Sequence, residues 1–282
     1  HTQRRRQRQM CIRDRSTSLQ QRGYHVLVFM AQQTAGNIDD VLEEILDYQV
    51  DGIVLASVAM SSVLAERCDA AGIPVVLFNR AQQEDRFSTV TSDNFAGGKA
   101  LAEFLVAGGH RRIGYIAGWE GASTQRDREA GFCAGLAEHG HKLFARGVGD
   151  FRTETAANAA RAMFSASEFP DAVFVANDHM AFAVIEELRG NLGLRVPEDV
   201  SVVGYDDVQL SRWSSFDLTT VRQPSSEMVA ETVAALMAQI EDGETEPRRV
   251  KIDGPLVVRG SARRPAEWLS LIHISEPTRR YR

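Results

Sequence analysis

Four pairs of polar residues stand at the expected ends of strands. Asn79-Arg80 closes PVVLFNR, Asp93-Asn94 stands in SDN at the start of the helical pattern DNFAGGKALAEFLVAGG, Asn177-Asp178 closes AVFVAND and Asp206-Asp207 closes VSVVGYDD. Carboxamides and carboxylates accept hydrogen bonds, and a guanidinium donates them in a fixed fork, so such a set can hold a hydroxylated ligand. Each pair also has a simpler reading, because Asn or Asp ahead of a helix is a favoured N-cap contributing about 1 kcal/mol. For Asn177, capping and ligand contact stand level; for Asp93 capping is the simpler reading, and Asp207 reads as a turn residue. Arg128 lies in a helical pattern beginning near Ser123, where a lone arginine reads first as a surface residue. Phe151 sits in the polar stretch GVGDFRTET and either plugs the fold or stacks on a ligand. Gln223 follows LTTVR and can fall on either side of a domain boundary.

Residues for making bonds are missing from the pattern. No G-x-x-x-x-G-K-[ST] loop occurs, no G-x-G-x-x-G follows a strand, and no G-x-S-x-G elbow is present. The reading is therefore of a binding protein that is not an enzyme, needs no cofactor and holds no metal. His139-Gly140-His141 beside Glu138 invites a metal, but Gly140 marks a helix end and a solvated terminus explains the group. The cysteines, Cys11, Cys68 and Cys133, have neither a zinc spacing nor a disulfide framework. Cys68 and Cys133 fall in helical patterns and read as small core residues. A reducing, cytoplasmic setting fits.

These residues need a scaffold, and the chain repeats one phrase that supplies it. YHVLVFM (24–30), GIVLAS (52–57), PVVLFN (74–79), RIGYIAG (112–118), AVFVAN (172–177) and VSVVGYD (200–206) are strand-like, and helical patterns follow them. Short buried strands alternating with helices predict an α/β fold with parallel sheets covered on both faces. Such sheets bind ligands beyond the carboxyl ends of their strands, where the polar pairs lie. In the last helix Val229, Val233, Leu236 and Ile240 form one apolar stripe. Six or seven units in 282 residues exceed one comfortable sheet, so two lobes are expected, with a break near Gly118.

Charge narrows the partners. The net charge is −6, but residues 1–15 carry +5 and residues 268–282 carry +2, leaving −13 on the body. A body that acidic does not grip a phosphate backbone by itself. No apolar run approaches the roughly 20 residues of a membrane span.

IPVVLFNR, SDN, GGHRRIGYIAG, REAGF, GDF, DAVFVANDHMA, VPEDVSVVGYDD, LTTVRQP and LVVRGS occur in an order that resembles the lactose-repressor (LacI/GalR) family of bacterial transcription regulators, across about residues 16–265. The resemblance implies a core like a type I periplasmic binding protein, with two doubly wound parallel-sheet lobes, three crossings and an effector cleft between them. It implies a first lobe over 16–118 plus about 223–249, and a second over 119–222 plus about 250–266. It implies a small-molecule sensor, for a sugar or nucleoside-like effector, that dimerises and governs a DNA-binding head. Arg128, Asn177, Asp206 and Gln223 are similar to the family's polar effector contacts, and Phe151 to its stacking aromatic. Asn79, Arg80 and Asp93 are expected to face the effector from the first lobe.

Relative to the family, the helix-turn-helix head and the first strand are missing from this chain. Operator DNA is therefore expected to be met only through that head. Residues 1–15 and 268–282 resemble no family segment and read as non-native ends. The competing reading is an exported solute-binding protein of the same fold serving a sugar transporter. For the dimer, the helix after residue 57 (Met60, Val63, Leu64) and the 224–241 helix are the candidate surfaces, with burial inside one lobe as the alternative.

Overall fold

The structure is a computed structural model and describes residues 19–20, 22–29, 45, 48–56, 62–80 and 86–266. The two ends read as foreign, together with Met60 and the side chains of Val63 and Leu64, lie outside the described residues. The chain divides into two units: 1–93 with 224–253, and 94–223 with 254–282. It therefore passes between them three times, after Asp93, Gln223 and Asp253.

The first unit is built on a parallel sheet of β1 (Ile53–Ala56), β2 (Val75–Phe78), β3 (Ser88–Ser92) and β9 (Arg249–Ile252), in that order. Side chains alternate across a strand, and both faces are covered. Val76, Phe78 and Val90 join Met228, Val229, Val233 and Leu236 of α6 (Ser225–Glu241) on one face. On the other, Ile53, Leu55, Val75 and Leu77 surround Cys68 of α1 (Ser62–Ala70). The stripe expected in α6 is thus spent inside its own unit, with Ile240 packed at its edge. Residues 24–29, expected as a strand, form none. Among the described residues β1 pairs only with β2, so 24–29 does not close onto it. Instead Tyr24 and Val26 pack against the α6 cluster, while Leu27 and Val28 are exposed.

The second unit holds a sheet in the order β10 (Leu256–Val257), β8 (Thr219–Arg222), β7 (Ser201–Asp206), β6 (Ala172–Val175), β4 (Ile113–Ala117) and β5 (Ala145–Val148). All neighbours run parallel except β10 and β8. The helices are α2 (Asn94–Ala107), α3 (Ser123–Glu138), α4 (Thr153–Phe164) and α5 (Asp178–Gly190). Tyr115, Phe132 and Phe174 meet at the centre with ring centroids 5.0–5.8 Å apart.

The first crossing is the correction to the expected boundary near Gly118. Residues 94–117 belong to the second unit, because β4 pairs with both β5 and β6 inside its sheet and α2 packs on α3. The other two crossings follow Gln223 and Asp253. Cys133 is also corrected: it is exposed, one position off the buried Phe132, while Cys68 is buried as expected. At the end of α3, His139 is the C-cap and Gly140 has φ 74°, so the histidine pair marks a helix terminus.

His110, just ahead of β4, ties the C-terminal segment to the sheet. Arg263 donates to its Nδ1 at 2.9 Å, while the Asp171 carboxylate lies 3.3 Å from the same nitrogen. A guanidinium only donates, so the neutral ring accepts from Arg263, and the Asp171 contact is an ion pair only when the ring is protonated. Burial and then Arg263 push the pKa down to about 4, against the opposing pull of Asp171. Because the folded value lies below the unfolded one, the stability from neutral His110 is full above about 6.5 and is lost as pH falls through about 4. Thermal unfolding of the chain and of His110→Gln between pH 7.5 and 4 is expected to show a steeper acid loss in the parent; equal slopes would remove His110 from the account.

Candidate functional site

Parallel strands aim their carboxyl ends at one rim, and in the second unit that rim gathers the polar residues. Gly118 follows β4, Phe151 lies three residues past β5, Asn177 follows β6, Asp206 ends β7 and Gln223 follows β8.

Arg128 is the centre. It is 3% exposed, so the surface reading is overturned. On α3 it shares a stripe with Phe132 and Leu136, spaced four and four, whose apolar members enter the core. Its Nε donates to Asn94 Oδ1 at 2.8 Å, one terminal nitrogen donates to the Ala176 carbonyl at 2.6 Å, and the other lies 3.3 Å from Asp206 Oδ1. The guanidinium carbon sits 3.7 Å from the centroid of the buried Tyr205 ring, a cation–π arrangement. Each terminal nitrogen retains one further N–H, because a guanidinium has five.

The close approach of α2 and α3 makes this reach possible. A Cβ on Gly98 would stand 2.2 Å from the Arg128 carbonyl oxygen, and one on Gly131 would stand 2.0 Å from that of Phe95.

Asp206 and Asp207 hold left-handed backbone, with φ 118° and 52°. Asp206 Oδ1 also accepts from Gln223 Nε2 at 2.8 Å. Asp207, expected as a turn residue, lies in the irregular link between β7 and the 3-10 helix Gln209–Arg212, and its carboxylate is fully buried. Arg222 Nε reaches it at 2.6 Å, Arg259 at 2.5 Å and Arg212 at 3.5 Å. Burial alone would raise its pKa; the arginines more than offset that and hold it below the ordinary carboxylate range.

Asn177 caps α5, its Oδ1 accepting from Met180 N at 3.0 Å. The capping reading therefore holds for its oxygen, and its amide nitrogen is the group left for a ligand. Asp178 beside it is fully buried. Its Oδ2 accepts from Val208 N at 3.0 Å and Ser211 Oγ at 2.6 Å, and its Oδ1 accepts from Thr220 Oγ1 at 2.7 Å. Burial, then the Asp206 charge, pushes its pKa up to about 7 against these three donors. The glycine of GYDD is needed here, since a Cβ on Gly204 would stand 2.4 Å from Asp178 Oδ1.

Phe151 and Asp150 have φ 53° and 54°, two successive non-glycine residues in the left-handed region. A bulky residue there is strained and is held only by its surroundings. The Phe151 ring lies over Gly118, where a Cβ would come within 2.2 Å of it. Gly118 is fixed in turn, its N–H donating at 2.6 Å to Gln125 Oε1, which also accepts from Tyr115.

In the first unit, Asn79 and Arg80 follow β2 and Asp93 follows β3. Asn79 has φ 59° and donates its N–H to the Val90 carbonyl; the Asp93 N–H donates to the Ile252 carbonyl at 2.8 Å. Asn94, Tyr205 and Asp178 lie outside the effector contacts expected from the sequence, yet they hold the site together. They lie in SDN, GYDD and ANDHMA, each next to an expected contact, Asp93, Asp206 or Asn177. Among the described residues no cluster of His, Cys, Asp and Glu could hold a metal, and no helix is long and apolar enough to cross a membrane.

A periplasmic binding protein-like domain matches residues 102–262. The transcriptional repressor PurR of Pasteurella multocida is 30% identical over 244 residues, covering 86% of this chain and 73% of the relative. The chain belongs to the LacI family of transcriptional regulators. The regulator CelR of Thermobifida fusca is 37% identical over 219 residues, 75% of this chain and 63% of CelR. The LacI-family chain thus spans about two thirds of the length of these curated relatives. A CelR–cellobiose complex superimposes with a TM-score of 0.82 at 31% identity, covering 89% of this chain and 78% of that one. A dimeric Lac repressor gives 0.81 at 25% identity, covering 91% and 94%. These relatives are regulators, and that places the chain as the core of a LacI-family regulator; the reading as an exported transport protein gains no support from them.

Proposed function

We propose that this chain senses a small hydroxylated effector, a sugar, at the carboxyl rim of the second unit's sheet, and that the bound state sets the DNA affinity of the regulator. The observation that carries this is Arg128: a buried guanidinium held by Asn94, Ala176 and Asp206, stacked on Tyr205, with two N–H groups left to donate. Donors from Arg128 and Asn177, acceptor oxygens on Asp206 and the Phe151 ring suit the hydroxyls and apolar face of a sugar. The similar CelR–cellobiose complex makes that sugar the first probe. Gln223 orients Asp206 by donating to its Oδ1. No nucleophile or cofactor loop accompanies the set, so the role is binding without turnover. A homodimer in the cytoplasm, meeting operator DNA through a helix-turn-helix head, completes the reading; likeness to a dimeric Lac repressor supports the assembly.

Calorimetric titration with cellobiose, glucose and adenosine tests it. Arg128→Ala is expected to weaken the bound ligand by about tenfold to a hundredfold, the loss of charged hydrogen bonds. An unchanged Kd would remove Arg128 from the site, and product formation on incubation would make the chain an enzyme.

A further inference from the structure

Asp206 is the acceptor at the centre of the rim, yet nothing in its own backbone favours its pose. Its φ of 118° lies outside the range that L-residues ordinarily adopt, and Asp207 follows at 52°. Such conformations persist only where the surroundings over-determine them. Two buried carboxylates do so here. Asp207, gripped by Arg222 and Arg259, fixes the turn to β8 and to the C-terminal segment. Asp178 fixes the other side: from the first turn of α5 it reaches the backbone of Val208, two residues beyond Asp206, the hydroxyl of Ser211 and the hydroxyl of Thr220 on β8. Gly204, on the strand that Asp206 ends, leaves the space that the Asp178 carboxylate occupies. One side chain thus joins the ends of three strands that carry Asn177, Asp206 and Gln223.

We propose that Asp178 is a positioning residue for the effector site, holding the 206–211 turn so that Asp206 meets Arg128 and Gln223, and that it does so fully only as a carboxylate. The hydrogen bonds dictate the second half. The Val208 N–H can only donate, so the ionised group accepts from all three partners at once. A proton added to Oδ1 has a receiver in Thr220 Oγ1, whose own hydrogen can turn to the Val221 carbonyl 3.5 Å away. That exchange replaces a charged hydrogen bond with a neutral one and leaves the turn more weakly held. The charged groups on the surrounding elements are Asp206, which Arg128 and Gln223 engage, and Asp207 with Arg212, Arg222 and Arg259; His179 is the neighbour on α5. Burial and the Asp206 charge bring the Asp178 pKa to about 7, so the exchange falls near neutral pH.

The proposal rests on the effector reading for its purpose but not for its test. Asp178→Asn is nearly isosteric and keeps one oxygen for Val208 and Ser211. In the free chain, the NMR signals of the Arg128 Nε–H and the Gln223 side-chain amide are expected to shift with pH, with a midpoint near 7, and to stay flat in Asp178→Asn. Signals that do not titrate in the parent, or titrate equally in the variant, overturn the proposal whatever the ligand. With cellobiose as probe, the parent is expected to bind about tenfold more tightly at pH 8 than at pH 5.5. The variant is expected to bind at the weaker level throughout. Matching affinity profiles for parent and variant would likewise overturn it. Titrating signals in a chain that binds no sugar would leave Asp178 as the positioning residue and remove the sugar reading instead.

Discussion

Asp207→Ala is expected to destabilise the second unit by about 3–5 kcal/mol in urea unfolding, the loss typical when one partner of a buried ion pair is removed. The cause is what remains behind. Arg222 and Arg212 are 46% and 62% exposed and turn to water once the carboxylate is gone. Arg259 is 11% exposed, and its other terminal nitrogen donates to the Leu218 carbonyl at 2.7 Å, so its charge stays largely inside without a counter-ion. The cost is therefore concentrated on one cation, and removing that cation as well should recover part of it. Asp207→Ala with Arg259→Met is expected to be about 2 kcal/mol more stable than Asp207→Ala alone, as for apolar replacement of a buried pair. If the double variant is less stable than the single one, Asp207 acts through the turn geometry and not through the trapped charge.

Much of this was legible in the sequence, because strands of four to six apolar residues followed by helical patterns are local signals. The polar pairs marked the strand ends correctly, and Asn177, Asp206 and Gln223 all lie on one rim. What was not legible depends on contacts between distant residues. The run 112–118 looks like any other strand; only its pairing with β5 and β6 assigns it to the second sheet, and no local pattern records that. The run 24–30 is as apolar as its neighbours, yet 24–29 forms no strand, since a strand needs a partner. Arg128 read as a surface residue because arginine seldom enters a core. The signal against that was its spacing of four and eight from Phe132 and Leu136, which places it on the buried stripe, and the same spacing puts Cys133 outside. Asp178 and Asp207 each stood second in a chosen pair; their roles depend on Thr220, Ser211, Arg222 and Arg259, up to 52 residues away.

The contact between α2 and α3 yields the other large effect, with a sign opposite to helix propensity. In an exposed helix, Gly→Ala stabilises by about 1 kcal/mol. At Gly131 the added methyl would stand 2.0 Å from the Phe95 carbonyl oxygen and 2.7 Å from its carbon, atoms of a backbone that cannot rotate aside. Gly98 makes the reciprocal contact with the Arg128 carbonyl at 2.2 Å, so neither helix can slide to relieve the other. Separating them would also open space around Leu101, Leu105 and Phe132, all fully buried. Gly131→Ala is therefore expected to cost about 3 kcal/mol, at the upper end for overpacking, and Gly131→Val more. Gly190, in the last turn of α5, is the control: an added methyl there would meet nothing within 4 Å, so Gly190→Ala should be neutral or slightly stabilising. The same displacement would draw Arg128 on α3 away from Asn94 on α2, so Gly131→Ala should weaken effector binding although residue 131 touches no ligand. Equal unfolding midpoints for the parent, Gly131→Ala and Gly190→Ala would mean that the helices separate freely, and the close approach would then not be what sets Arg128 in place.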